Sequence, residues 1–168
     1  VHSRLGHGSR FTVDVPVAEA ASWQKRVEPQ QDRSTGLGVN LGGMLVVCID
    51  NEPDVLNGMR LLLTGWGCNV LLASSPETAA QAVTSAGQVP EVILADYHLD
   101  KATGLDAIAA VRKAARTPIP AVIITADQSP GLQKAIRAAG YGLLSKPLKA
   151  GALRAILAQQ ALRRAAAE

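Results

Sequence analysis

The sequence predicts an α/β fold in which five βα units build a parallel sheet covered by helices on both faces. Three observations predict it. From Met44 onward, short apolar runs alternate with stretches of helical periodicity. The runs are continuous, as strands buried on both faces require. Hydrophobic residues make up 48% of the 168 positions and charged residues 18%, enough apolar matter for a core and too few charges for wholesale disorder.

Each element follows in order. Phe11–Val17 alternates apolar and polar residues like a half-buried strand, ended at Pro16, with a glycine-containing turn, Leu5–Arg10, ahead of it. Residues 18–43 read as a linker rich in Gln, Gly and Ser, with a helical turn or two around Trp23 in Val17–Val27. Gly36-Leu-Gly-Val-Asn-Leu-Gly42 mimics a dinucleotide fingerprint, but its last spacing is too long and no strand precedes it. Strands are then expected at Met44–Ile49, Asn69–Ala73, Glu91–Ala95, Pro120–Thr125 and Tyr141–Ser145. Helices are expected at Pro53–Thr64, Pro76–Ser85, Leu105–Ala115, Pro130–Ala139 and Leu153–Ala166. Ser75-Pro76-Glu77 is a helix start, with a Ser cap, Pro at the first helical position and an acid in the first turn. Gly140 stops the fourth helix. Leu153, Ile156, Leu157 and Leu162 make the last helix amphipathic.

Composition narrows the function classes. Aromatic residues are 3% of the chain, too few for base-stacking platforms. The net charge of +3 comes with no Lys/Arg run longer than two, so no phosphate-tracking patch is expected and nucleic acid is not an expected partner. Cys48 and Cys68 lack zinc-ligand spacing and fit a reducing, cytoplasmic setting, with Cys48 a small core residue. The longest apolar run, Met44–Ile49, is far short of the roughly 20 residues that span a bilayer, so no membrane contact is expected. The chain opens Val-His-Ser-Arg, without Met or a signal peptide, and reads as a soluble fragment of something longer.

The residues that end the strands carry the chemistry. The first run ends in Asp50-Asn51-Glu52, the third in Asp96, the fourth in Thr125, and the fifth is followed by Lys146-Pro147. In a doubly wound, flavodoxin-like sheet of strand order 2-1-3-4-5, the first, third, fourth and fifth strands are neighbours, and their carboxyl ends form the crevice. Asp50, Asp96, Thr125 and Lys146 then converge. Clustered acids favour a hard divalent cation with oxygen ligands, and Mg2+ is the expected one. A cation beside Asp96, the Lys146 ammonium and the Thr125 hydroxyl are what an incoming phosphoryl group needs, and a carboxylate is a nucleophile for it. Taken singly, each has a bland reading: Asp96 capping a loop, Asp50 capping the helix at Pro53, Thr125 ending a strand, Lys146 in solvent. Trp66 reads as packing over a helix end, and His2 and His7 as exposed loop residues.

Together these residues resemble the response-regulator receiver family of two-component signalling. The marks are Val47–Pro53, Ile93–Leu99 with Gly104-Leu105, Ile124-Thr-Ala126 and Leu144–Leu148. The resemblance spans 44–168. It implies Asp96 as phosphoacceptor, Thr125 and Lys146 as its catalytic contacts, and a Mg2+ site from Asp50, Asn51, Glu52, Asp96 and the His98 backbone carbonyl. It also implies a cis bond before Pro147. Ser3–Pro16 resembles the final glycine box and last strand of the ATPase domain of sensor histidine kinases, which makes residues 1–17 a remnant of that domain. That resemblance implies the domain order of a hybrid histidine kinase, with a kinase core or a histidine phosphotransfer protein as partner and room for a homodimer. Without the kinase core, the fragment is expected to catalyse only its own phosphotransfer and dephosphorylation.

Departures from the family pattern sharpen the alternatives. The second acidic position carries Asn51, with Glu52 next to it as a candidate substitute. The switch position, often aromatic, carries Leu143, and Tyr141 is expected to face elsewhere. His98 stands where the family's side chain influences phosphoryl lifetime. Asn51 and Leu143 favour a second reading, a docking module with impaired phosphorylation. A third, a phosphohydrolase with an Asp nucleophile, lacks the expected Asp-x-Asp pair because position 98 is His.

Overall fold

The computed structural model describes residues 2–4, 6, 8–14 and 39–165. The chain divides into two units, residues 1–35 and 36–168. In the first, β1 (His2–Arg4) and β2 (Gly8–Arg10) pair antiparallel, with His2 opposite Arg10. Gly6 in the turn has a φ of 78°, a left-handed conformation that glycine adopts without steric cost. The expected strand over Phe11–Val17 is not formed in the part described: residues 11–14 are irregular, and Phe11 and Val13 are exposed. Alternation alone does not make a strand when the apolar face packs on nothing among the described residues. The helical turn expected at Val17–Val27, residues 36–38 of the glycine-rich stretch and His7 lie outside the described residues.

The second unit holds β3 (Leu45–Ile49), α1 (Pro53–Gly65), β4 (Asn69–Ala73), α2 (Pro76–Ala86), β5 (Val92–Asp96), α3 (Gly104–Ala115), β6 (Ala121–Thr125), α4 (Pro130–Ala138), β7 (Gly142–Ser145) and α5 (Ala150–Ala165). The strands are parallel in the order β4-β3-β5-β6-β7, the expected 2-1-3-4-5 order. Side chains alternate across the sheet. Val46, Cys48 and Leu94 join Met59 and Leu63 of α1 and Leu153 and Leu157 of α5 in one core. Val47, Ile49 and Ile93 join residues of α2, α3 and α4 in the other. Every residue of β3, β5 and β6 is buried, which is why those runs are uninterrupted in sequence.

The helix starts follow their caps. Ser75 and Thr103 each form a reciprocal capping box, with Thr78 and Asp106. The Thr103 hydroxyl and backbone N–H hold the Asp106 carboxyl below the usual range. Most boundaries fall within one residue of expectation, and the start of α5 differs by three. α5 begins at Ala150, before its first apolar residue, because small residues announce no periodicity. Its buried stripe ends at Leu157 with Ala161 partly buried beyond it, and Leu162 is 44% exposed. Leu41, from the segment read as linker, is buried in the core beside Met44. Trp66 closes α1 and lies under the Arg154 guanidinium, 5.2–5.4 Å being the range of such contacts here, with this one at 5.4 Å. Burial raises the Cys48 thiol pKa, with the nearby Cys68 adding to it, as befits a core side chain.

Candidate functional site

The carboxyl ends of β3, β5 and β6 deliver three buried polar side chains, Asp50 at 5%, Asp96 at 7% and Thr125 at 1% exposure. Among the described residues these are the only buried polar or charged ones, and all three stand at strand ends on one edge of the sheet. Asp50 follows β3, its backbone N–H bonded to the Ala73 carbonyl. Its Oδ1 accepts the Glu52 N–H at 2.9 Å, so Asp50 orders the loop ahead of α1, while Glu52 itself takes the cap position. Asp96 ends β5. A Cβ at Gly104 would collide with the Asp96 carbonyl oxygen, so only glycine lets α3 begin there.

Lys146 completes the group. Its backbone N–H donates to the Thr125 carbonyl at 2.8 Å, fixing the chain after β7 beside the end of β6. Its Nζ lies 3.2 Å from Asp50 Oδ2 and 3.0 Å from Asp96 Oδ1. Burial of the ammonium works against its charge, but hydrogen bonds and charges from Asp96 and Asp50 outweigh that and raise its pKa. The Lys146–Pro147 bond is cis, as expected. Thr125 Oγ1 accepts the Asp127 N–H at 3.1 Å, which leaves the hydroxyl proton for another acceptor.

Two carboxylates and one ammonium leave the cluster one negative charge in excess. Hard oxygens with surplus negative charge suit a small divalent cation. Among the described residues no three His, Cys, Asp or Glu side chains group as metal ligands. Two carboxylates, water and a phosphate are nevertheless a normal Mg2+ shell, so the donor set fits that ion. A cavity of about 260 Å³ opens on one side, lined by Leu56, Met59, Pro147 and Leu148 with Asp50 and Lys146. Its apolar wall lowers the local dielectric and strengthens each charge interaction beside it.

The remaining candidates are placed less centrally. Glu52 is exposed, and its side chain makes no hydrogen bond or ion pair among the described residues. Asn51 is half-buried, and its Nδ2 donates to Asp100 Oδ1 at 2.7 Å. His98 is exposed, its ring edge-on to Tyr97 at 4.8 Å, and its backbone bridges to Thr103. Leu143 packs with the core of α2, α3 and α4. Tyr141, expected to face elsewhere, packs against that same core, with the Arg112 guanidinium over its ring at 5.2 Å and Nη1 3.5 Å from the hydroxyl. Two residues not singled out in the sequence adjoin the site, Asp100 and Asp127. Asp127 is held ionised by its hydrogen bond from the Ser129 backbone N–H. Neither stands at a strand end, so neither carries a periodicity signal.

The profile of the response regulator receiver domain matches residues 46–158. The chain belongs to that family. The matched receiver region contains Asp50, Asp96, Thr125 and Lys146. Among curated relatives, the transcriptional regulatory protein KdpE of Mycobacterium tuberculosis is 31% identical over 103 residues, covering 61% of this chain and 44% of KdpE. ZraR of Escherichia coli, also a transcriptional regulatory protein, is 31% identical over 115 residues, covering 67% of this chain and 25% of ZraR. The chain thus spans less than half the length of these relatives. A receiver domain from Clostridium thermocellum superposes with a TM-score of 0.58 at 27% identity, covering 71% of this chain and 94% of that one. The receiver domain of the sensor histidine kinase PA1611 from Pseudomonas aeruginosa has a TM-score of 0.60 at 24% identity, covering 71% and 98%. Its structure contains a magnesium ion coordinated in the active-site cleft. No helix among the described residues of this receiver is long and apolar enough to cross a membrane.

Proposed function

We propose that this receiver accepts a phosphoryl group from a phosphohistidine onto Asp96, in a Mg2+-dependent phosphorelay within a hybrid sensor histidine kinase. The observation that carries the reading is the convergence of Asp50 and Asp96 on the single Lys146 ammonium beside the Thr125 hydroxyl. An Asp96 carboxylate oxygen attacks phosphorus, the P–N bond breaks, and its electron pair stays on the imidazole nitrogen. The chemistry asks mainly for position and charge neutralisation. Lys146 supplies a positive charge to the phosphoryl oxygens, and Thr125 donates its hydroxyl proton to one of them. Asp50, Asp96 and Asn51 would hold the cation, with the His98 backbone carbonyl as a further oxygen. The bound Mg2+ supplies further neutralisation of the equatorial oxygens.

The hybrid-kinase context is supported by the glycine box resemblance in Ser3–Pro16, ahead of a linker and then the receiver. The kinase core or a histidine phosphotransfer protein is the proposed donor and acceptor. A second reading, docking without phosphorylation, is favoured by Asn51 in place of an acid and by Leu143 in the core where an aromatic switch is common. Incubation with Mg2+ and acetyl phosphate separates the two. The first reading expects a mass gain of one phosphoryl group, abolished by EDTA and by Asp96→Asn. Absence of any adduct, from this donor and from a phosphorylated histidine phosphotransfer protein, supports docking alone.

A further inference from the structure

The Asn51–Asp100 hydrogen bond joins the loop directly after Asp50 to the loop after Asp96, across 49 residues of sequence. A carboxylate only accepts, so the amide nitrogen must be the arm that faces Asp100. Nδ2 is thereby committed, and Oδ1 is the arm left; among the described residues nothing donates to it. A bond of 2.7 Å from an N–H to an anion is charge-assisted. It pulls electron density within the amide toward Oδ1. Outer partners of this kind fix a ligand's orientation and raise its basicity.

We propose that Asp100 is a positioning residue for the divalent cation: through Asn51 it turns a neutral amide into an oriented, electron-rich oxygen ligand where an acid would otherwise stand. The proposal rests on reading the site as a Mg2+-dependent phosphoacceptor. Asp100 itself is exposed and its carboxylate is engaged by the Asn51 amide, which fits an outer role. The arrangement also accounts for Asn51 without recourse to Glu52, whose side chain stays in solvent.

The test is the Mg2+ dissociation constant of the unphosphorylated full chain, read by isothermal titration calorimetry. Asp100→Ala is expected to weaken binding about tenfold, the low end for loss of an outer-shell partner. Asp100→Asn keeps an acceptor for the Asn51 amide but loses the charge, and is expected to weaken binding several-fold. A mere loop latch would survive that change. In an Asn51→Asp background the ligand carries its own charge, so adding Asp100→Ala should cost nothing. Wild-type affinity in both Asp100 variants would overturn the proposal and leave the phosphoacceptor reading standing. A folded wild-type chain that binds no Mg2+ would overturn both. Because Asp100 is exposed, thermal melts of its variants should match wild type and exclude misfolding as the cause.

Discussion

Lys146 is the residue on which the site's charge balance turns. Its raised pKa means that the folded chain holds this proton more tightly than the unfolded chain does. The stabilisation is therefore fully present below the ordinary lysine pKa, about 10.4, and is lost as pH rises through the higher folded value. The side chain is 32% exposed, so solvent screening reduces its size but leaves its sign. Thermal melts from neutral to strongly alkaline pH should show the wild type losing stability more steeply above about pH 10 than Lys146→Met. Parallel slopes would show that the ion pairs contribute nothing to folding. Single residues were also where the sequence was most legible. Asp50, Asp96 and Thr125 each end a fully apolar run; singly each has a capping or strand-end reading, and it is their recurrence at neighbouring strand ends that marks a site. Asn51 and Asp100 were not legible as a pair, because no local pattern announces a bond between two loops 49 residues apart.

At the scale of elements, the chain reads well wherever caps and periodicity agree. Ser75 shows why. Its hydroxyl accepts the Thr78 N–H at 3.2 Å while Thr78 Oγ1 accepts the Ser75 N–H at 3.0 Å, so α2 starts where the Ser-Pro-Glu sequence says it does. Ser75→Ala should cost about 1 kcal/mol, seen as a lower urea midpoint at unchanged slope. An unchanged midpoint would mean that Pro76 alone sets the helix start. The contrast is the opening segment. Phe11 and Val13 alternate like a strand yet are 76% and 82% exposed, and the pairing that does form, His2–Arg4 with Gly8–Arg10, is a glycine hairpin without an apolar signature. α5 likewise starts early, since Ala150 and Gly151 lack the side chains from which a helical face is read.

For the receiver unit as a whole, the parallel sheet explains the site. What matters is adjacency: β3, β5, β6 and β7 are consecutive neighbours, so residues far apart in sequence reach one end of the sheet together. Burial of β3, β5 and β6 on both faces leaves their ends as the place where polar groups can meet solvent and a partner. The fold and the converging side chains follow from the sequence by this geometry, whereas the Asn51–Asp100 bond is a loop contact that only three dimensions display. Asp96 is the proposed phosphoacceptor. An aspartyl phosphate is reduced by borohydride to homoserine, so peptide mapping after acetyl phosphate, Mg2+ and borohydride reads the modified position directly. The account predicts homoserine at position 96 alone, and a modified residue elsewhere, or none, would contradict it.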